Sequence, residues 1–395
     1  KTIVIDTTAP TITSVTSTTD DGTYNADDTI NITVNFSEAV TLSGGNLVVT
    51  LETGENDRTV TITSISGSNT ASGTYTVQSG DTSSDLTVSS IALSGGSLSD
   101  AAGNAMSSFA IATNLAASKA LVIDTTPATV TNVTSSTTNG TYNADDAISI
   151  QVVFSEVVTV SGVPQLTLET GSSDAVVNYA SGNGSNTLTF TYTVASGQTS
   201  SDLDYASTSA LALNGGSILD PAGNASTLTL ASPGATGSLG ANKALVIDTT
   251  APTVVSFTTA TETGSYNQAE EIVITANTSE AIKSGNTITV TLDTGDTVLL
   301  TAASAGTTLV GTYTVGNGDT SAGLTVSSFT IGTVTDTVGN AMTSTALPAS
   351  SSIFGSKTIV IDTTAPTITS VTSTTDDGTY NADDTINITV NFSEA

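Results

Sequence analysis

The sequence predicts an all-β chain of antiparallel β-sandwiches arranged end to end. Three observations lead to this prediction: apolar residues alternate with a period of two, turn-forming residues separate short apolar runs, and one segment recurs along the chain. Residues 1–10 read KTIVIDTTAP, and closely similar segments begin at Lys119, Lys243 and Lys357. The starts lie 118, 124 and 114 residues apart, and each interval is about the size of one β-sandwich domain.

The spacing of this segment predicts the domain organisation. We expect repeats over 1–118, 119–242 and 243–356, followed by the start of a fourth repeat over 357–395. Residues 357–395 reproduce residues 1–39 letter for letter, whereas the internal copies have diverged, so a 356-residue block recurs. Two strands are too few to bury a sandwich core. Either the chain continues or strands of another molecule complete the fourth repeat, and we expect continuation.

The individual strands follow from local patterns. In residues 29–36, TINITVNF, apolar residues alternate with Thr and Asn, as in a strand with one buried face. Residues 147–154 and 272–277 repeat this pattern less regularly. Further strands of the first repeat are predicted at 11–16, 46–51, 59–65, 73–77 and 86–93, while 119–123 either closes the first domain or enters the second.

The composition of these runs supports the fold class. Thr, Val, Ile and Tyr dominate the strands, and Gly, Asn, Asp and Ser lie between them, where turns need them. No amphipathic helix pattern is present. About seven short strands per repeat with frequent turn signals favour an immunoglobulin-like sandwich, so we expect tandem immunoglobulin-like domains.

The composition also excludes several kinds of chemistry. The 395 residues include no Cys and no His, which rules out thiol nucleophiles, disulfides, His-based catalysis and nitrogen–sulfur zinc sites. Lys and Arg number 6 against 36 Asp and Glu, a net charge of −30 that disfavours nucleic acid and anionic membranes. No apolar run is long enough to insert in a membrane. The acidity favours hard cations, or it only keeps the surface soluble.

Several motifs recur in each repeat with small changes. In the first repeat they are V-I-D-T-T-A-P at its start and G-T-Y-N-A-D-D before a strand followed by F-S-E-A-V, and a late D-x-x-G-N lies at 100–104, 220–224 and 336–340. In these motifs the whole chain resembles bacterial immunoglobulin-like repeats of giant surface adhesins and other large exported proteins. The resemblance implies a secreted, cell-surface location and calcium-stiffened junctions, as in cadherin-like arrays. The third copy departs from the pattern with YNQAEE and TSEAI.

The sandwich fold would bring acidic residues of several motifs to one pole of each domain. Asp6, Glu38, Asp100 and Asn104 would meet there, facing the lower loops of the preceding repeat. Carboxylates within a few ångströms of one another repel. A calcium ion bound by their oxygens would turn that repulsion into attraction. The predicted ligands are Asp6, Glu38, Asp81, Asp85, Asp100, Asn104, Asp124, Glu156, Asp202, Asp220, Asn224, Asp248, Glu280, Asp336, Asn340, Asp362 and Glu394. Alternatively, these residues only cap turns and bond backbone.

The leading functional hypothesis is a non-catalytic structural region of a long extracellular fibre, stalk or surface layer. Its partners would be other copies of the repeat or chain, end to end or laterally. Two alternatives stay open: an adhesin whose repeats bind a surface glycan or protein, and accessory domains of an exported enzyme. The adhesin hypothesis predicts an exposed patch unique to one domain, and the sequence shows none. No catalytic motif is found, and the acidic residues recur once per repeat, whereas catalytic sites are usually single.

Overall fold

The computed structural model describes residues 1–394, and strands dominate it. Strands make up 49% of the chain and helices 2%, which confirms the all-β prediction. In the described part the helices are three short turns, at Leu115–Ala117, Leu239–Asn242 and Ser350–Ser352, and none is long or apolar enough to span a membrane. The chain forms two compact units: Lys1–Gly140 with Asp146–Val194 and Ser200–Ile247, and Thr141–Asp145 with Ala195–Thr199 and Asp248 onward.

The first repeat contains eleven strands. They are β1 (Ile12–Thr16), β2 (Gly22–Tyr24), β3 (Thr29–Ser43), β4 (Asn46–Glu52), β5 (Arg58–Ile62), β6 (Ser68–Thr76), β7 (Thr82–Ser83), β8 (Thr87–Ser94), β9 (Ser97–Asp100), β10 (Ile111–Thr113) and β11 (Leu121–Asp124). One sheet has the order β10-β1-β3-β6, with β9 also on β3; the others are β5-β4-β8 and β2-β11-β7. The strands that sequence patterns missed, β2, β7, β9 and β10, are too short to show an alternation.

The apolar side chains of these sheets form one hydrophobic core. Ile30, Ile32 and Val34 on β3 and Leu47 and Val49 on β4 are fully buried and belong to the same cluster. The alternate residues of both strands are half-buried or exposed. Complete burial of each such side chain contributes roughly 1.5–3 kcal/mol, so the period-two pattern is what holds the two sheets together.

The segment whose place the sequence left open, 119–123, closes the first repeat. Strand β11 pairs parallel with β2 and antiparallel with β7. Leu121 and Ile123 are buried in the first core. The structural repeat therefore ends near Asp124, whereas the sequence period placed the boundary before Lys119. The period determines the length of a repeat, but only the packing of the apolar pair Leu121 and Ile123 determines where it ends.

Strand β3 extends further than the predicted strand 29–36. Its first part pairs with β1 and β6, and its last part, from Val40 to Ser43, pairs with β9. The pairing with β6 shifts register between Asn35 and Val40. Glu38 therefore lies inside the strand, at this irregularity, and not beyond its end as the sequence suggested. The sequence S-E-A-V interrupts the alternation and concealed the continuation.

The second and third repeats follow the same plan. The second contains β12 (Val130–Ser135), β13 (Gly140–Tyr142), β14 (Ala147–Ser161), β15 (Gln165–Leu168), β16 (Ala175–Ser181), β17 (Ser185–Thr193), β18 (Thr199–Ser200), β19 (Leu211–Ala212), β20 (Ser217–Leu219) and β21 (Leu245–Asp248). The third contains β22 (Val254–Thr258), β23 (Gly264–Tyr266), β24 (Glu271–Ile282), β25 (Thr287–Leu292), β26 (Thr297–Thr301), β27 (Gly306–Thr314), β28 (Thr320–Ser321), β29 (Val326–Thr333) and β30 (Ile359–Asp362). A pair, β31 (Ile368–Thr372) and β32 (Thr389–Phe392), follows.

The long strand is the centre of each later repeat as well. The second repeat has the order β12-β14-β17-β16-β15-β19, with β20 on β14, and the third has β22-β24-β27-β26-β25-β29. The strands predicted at 147–154 and 272–277 lie within β14 and β24. In the third repeat β30 pairs with β23 and β28, and its Ile359 and Ile361 are buried in the third core. The closing strand thus packs on the repeat that precedes it here too.

Candidate metal centres

Three clusters of carboxylates recur, one in each repeat, in the part of the chain that the structure describes. Within each cluster the three residues offer oxygens that lie within 4.8 Å of one another. The clusters, which we call the acidic triads, are Asp6, Glu38 and Asp100; Asp124, Glu156 and Asp220; and Asp248, Glu280 and Asp336. Nine of the predicted ligands are thereby brought together.

Three separate segments supply each triad. In the first repeat Asp6 precedes β1. It begins the D-T-T segment, at 6–8, 124–126, 248–250 and 362–364, that we call the linker. Its Oδ1 accepts a hydrogen bond from the Thr8 N–H at 2.9 Å. Glu38 lies at the irregularity of β3. Asp100 ends β9, where it pairs with Val40 of β3, two residues from Glu38. A strand irregularity, a sheet pairing and a linker turn therefore converge, and the triad ties distant parts of the sequence together.

The D-x-x-G-N turn connects the triad to the linker. The Asn104 backbone N–H donates to Asp100 Oδ1 and its Nδ2 to Asp100 Oδ2, both at 2.8 Å, and Nδ2 also lies 3.2 Å from the Asp6 carbonyl. Gly103 has φ +94°, a left-handed conformation that favours glycine. Asn224 and Asn340 likewise donate to the carbonyls of Asp124 and Asp248. The aspartate of this turn thus accepts capping hydrogen bonds, and its oxygens can also serve the triad because a carboxylate oxygen accepts more than one bond.

The electrostatics of the triads differ by residue. Burial, with the Asp6 and Asp100 charges beside it, raises the pKa of Glu38. The pKa values of Glu156 and Glu280 are raised for the same reasons, by burial and then by their own two aspartates. In contrast, hydrogen bonds from Asn104 hold the pKa of Asp100 below its usual range. In each triad the glutamate is therefore the residue whose pKa the other two carboxylates raise.

The chemistry of the triads suits a hard divalent cation. Every ligand atom is a carboxylate oxygen, which calcium and magnesium prefer, and no nitrogen or sulfur ligand is present. Asp100, Asp220 and Asp336 are buried, and the three glutamates are half-buried. Three carboxylates leave further coordination positions for backbone carbonyls and water, as in weak extracellular calcium sites.

The other predicted ligands lie outside the triads. Asp81 is buried, and its oxygens accept bonds from Arg58 Nε at 2.8 Å and Tyr75 Oη at 2.7 Å, so it serves the interior of the repeat. Asp85 and Asp202 are exposed. Asp362 is exposed and Glu394 half-buried.

Neither a family model nor a curated protein matches this chain. Among solved structures, it is similar to the extracellular region of plexin A4 at 7% identity and a TM-score of 0.23. The match covers 84% of this chain and 34% of that structure, so the chain spans about a third of its length. A likeness this distant carries no argument about fold or function, and the triads are judged on their own geometry.

The threonines that follow Asp124 and Asp248 contact the preceding repeat, which the sequence analysis missed. Thr125 Oγ1 accepts a bond from the Gly80 N–H and donates to the Asp81 carbonyl, both at 3.0 Å. Thr249 makes the same pair of bonds to Gly197 and Gln198. The signal available in the sequence was the unchanged D-T-T of all four copies. Each linker is thus bonded to the loop before it and to the turn after it.

The Y-N-A-D-D loop provides a further contact at the junction. Asn143 Nδ2 donates to the Val338 carbonyl, which lies in the D-T-V-G-N turn, at 3.1 Å, and both residues belong to the second compact unit. The first unit has a corresponding contact between Asn25 of the same loop motif and Gly223 of the next D-x-x-G-N turn. The two residues are so close that a Cβ added to Gly223 would lie 3.2 Å from Asn25 Nδ2. The loop asparagine therefore lies against the same turn that provides the buried aspartate of the triad.

Proposed function

We propose that the chain is a non-catalytic structural array of immunoglobulin-like domains in a long extracellular or cell-surface fibre, stalk or surface layer, with calcium stiffening its junctions. The observation that carries this proposal is the acidic triad beside each linker, present in all three repeats. A recurring site with the same three segments is what a repeated structural role requires. A single catalytic centre would not need three copies.

The immunoglobulin-like assignment is supported by the arrangement of the first and third repeats. In each, the strands surround one hydrophobic core, and a closing strand pairs parallel with a short early strand. The buried faces alternate with polar ones, as in a two-layer sandwich. Repeats of this size and plan suit an extended array better than a single compact enzyme.

Calcium would act on the linker. Asp6, Glu38 and Asp100 come from the linker, the long strand and the late turn, so one cation bonded to all three would hold the linker against its domain. Without a cation, the like charges oppose that arrangement. The hydrogen bonds of Thr125 to the preceding loop then extend the constraint across the junction.

The partners in this proposal are further copies of the repeat or chain, end to end or laterally. The net charge of −30 opposes lateral contact between copies, and bound divalent cations would reduce that repulsion. No nucleic acid or membrane fits this charge.

The test is thermal unfolding of the chain in millimolar calcium and again in excess chelator. We expect calcium to raise the midpoint of unfolding, and the triple variant Asp6→Asn, Asp124→Asn, Asp248→Asn to lose that increase. Asparagine can still accept the bond from the Thr8 N–H and cap the turn, so this variant removes the charge and keeps the linker turn.

A matched control is the double variant Asp85→Asn, Asp202→Asn, which removes exposed carboxylates outside the triads and should keep the full calcium effect. Equal midpoints with and without calcium in the unmodified chain would contradict the calcium proposal. The array would then have junctions held by hydrogen bonds alone.

A further inference from the structure

The first repeat contains a polar pocket that the triads and junctions do not use. Its volume is about 400 Å³. It lies between the start of β5 and the end of β6. The lining includes Asp57, Arg58, Thr59, Thr74, Thr76 and Gln78. A volume near the lower end of the range for ligand sites admits one small molecule.

The pocket exists because two strands separate at this end of the repeat. Strand β5 pairs with β4 and with no other strand of the described chain, whereas its counterparts β16 and β26 also pair with β17 and β27. Further along, the strands approach closely, since a Cβ added to Gly73 would lie 2.3 Å from Val60 Cγ1. The sheets are therefore in contact at Gly73 and open at Arg58.

Arg58 is the only arginine of the chain, and its setting leaves donors for a ligand. Its Nε is bonded to Asp81 Oδ1 at 2.8 Å, and its side chain is 29% exposed. Tyr75 Oη and the Gln78 N–H hold the other oxygen of Asp81. The bond from Nε to Asp81 thus holds the guanidinium in place, and its terminal amino groups bond no acceptor among the described residues.

The arginine and its buried partner occur together in the first repeat alone. Leu51 pairs with Arg58, and at the same register Leu168 pairs with Ala175. The position of Asp81, which accepts from the Gln78 N–H, is occupied by Gln198 in the second repeat, which accepts from the Ala195 N–H. The third repeat keeps the carboxylate as Asp319, which accepts from Tyr313 Oη and the Gly316 N–H, but it has no arginine. The pair is therefore specific to one domain.

We propose that this pocket binds a neutral sugar residue, a function beyond the structural role proposed above. A sugar hydroxyl both donates and accepts, and the walls offer both kinds of group. Arg58 donates; Asp57 accepts, although Ser89 Oγ already donates to its Oδ2 at 3.1 Å; and the Gln78 amide and threonine hydroxyls do both. Such a mixed, convergent set is suited to neighbouring hydroxyl groups.

The charges around the pocket select against ions. Arg58 and Asp81 neutralise each other, and Asp57 leaves a net negative charge in a chain whose total is −30. The net negative charge would repel an anion, and the Arg58 guanidinium would repel a cation. A neutral polyol meets neither penalty, because it replaces water bonds with bonds of equal number.

The binding of a single sugar at this pocket is expected to be weak. The chain has no Trp to stack on a sugar ring, and Tyr75 is buried with its hydroxyl bonded to Asp81. We therefore expect a Kd on the order of 1 mM, which many copies on one surface would strengthen by avidity.

The experiment is saturation-transfer NMR on the full chain with the methyl glycosides of glucose, galactose, mannose and N-acetylglucosamine. Glucuronate and tetramethylammonium serve as the anionic and the cationic probe. We expect at least one neutral glycoside to bind, and the double variant Arg58→Ala, Asp81→Gln to weaken that binding by about tenfold or more. This variant introduces the residues of the second repeat, so it should fold, which its unfolding midpoint checks.

The control Lys283→Ala removes an exposed cation elsewhere and should leave binding unchanged. Absence of binding by all four glycosides would overturn the proposal. So would equal binding by the unmodified chain and the double variant, or binding of the charged probes alone. None of these outcomes depends on calcium, so the result is separate from the test of the triads.

Discussion

Asp81 and Asp100 are both buried acidic residues, yet their neighbours give them different roles. Asp81 is surrounded by donors from Arg58, Tyr75 and the Gln78 N–H, so its charge is balanced inside the repeat. Asp100 accepts only amide groups and lies against two further carboxylates. An uncompensated group of like charges attracts a cation, whereas a compensated one does not.

At the residue scale we predict that acidity reduces the effect of calcium. Folding raises the pKa of Glu38, Glu156 and Glu280, so without metal the folded state binds protons more tightly than the unfolded state. The contribution of these groups to stability is therefore largest below their unfolded pKa and is lost as pH rises through the folded values. At the proposed sites calcium would compete with protons for the same oxygens, so we expect it to bind best at neutral pH.

The measurement is the difference between unfolding midpoints in calcium and in chelator from pH 7 down to the range where glutamate titrates. We expect this difference to become steadily smaller as the pH falls. The lowered pKa of Asp100 places its own loss of stability at still lower pH, so it does not obscure the trend. A difference that is constant over this range would contradict the assignment of the glutamates as ligands.

At the element scale, one sequence adopts two states in this chain: it is a buried strand at Ile359–Asp362 and an exposed segment without strand structure at residues 3–6. Ile359 and Ile361 of β30 are buried against the third repeat, while Ile3 and Ile5, in the same K-T-I-V-I-D sequence, are more than 80% exposed. The motif is therefore a strand with one apolar face that stabilises whichever repeat it closes. Its pairing with two short strands, and not its own propensity, makes it part of a sheet.

We predict that Ile123→Ala destabilises the first repeat by about 2–4 kcal/mol, because it leaves a cavity in a core where Ile123 is 2% exposed. Ile5→Ala is the matched control, since it makes the same change in the same motif at an exposed position. Chemical denaturation of the two variants measures the difference. An equal cost for both variants would mean that β11 does not close the first core.

At the scale of the whole molecule, the junctions repeat one pattern of contacts. A threonine after each linker aspartate bonds to the loop before it, as Thr125, Thr249 and Thr363 do. An asparagine of the following D-x-x-G-N turn bonds to the carbonyl of the linker aspartate, as Asn224 and Asn340 do. Hydrogen bonds therefore restrain the linker without any cation, and the proposed calcium ion would add to that constraint.

We predict that Thr125→Val loosens the first junction, since valine keeps the shape of threonine but loses both bonds to Gly80 and Asp81. The two lost bonds should cost about 1–2 kcal/mol of local stability. Limited proteolysis should then cut the chain faster near residues 124–126. Thr126→Val is the control, because the Thr126 backbone, and not its side chain, bonds to Asp124. Equal cleavage rates for both variants would contradict a restraining role for Thr125.

By itself, the sequence determined the β class, the length of the repeats and the set of carboxylates that recur in them, because alternation, spacing and recurring motifs are properties of the chain as written. Only the tertiary structure decided where each repeat ends, that Asp81 belongs to the interior while Asp6 belongs to a triad, and that a pocket opens beside Arg58. These depend on which strands pair and which side chains approach across long sequence separations. A carboxylate in the sequence carries the same charge in every motif. Only its neighbours in space determine whether protein donors balance that charge or whether it is available to a cation.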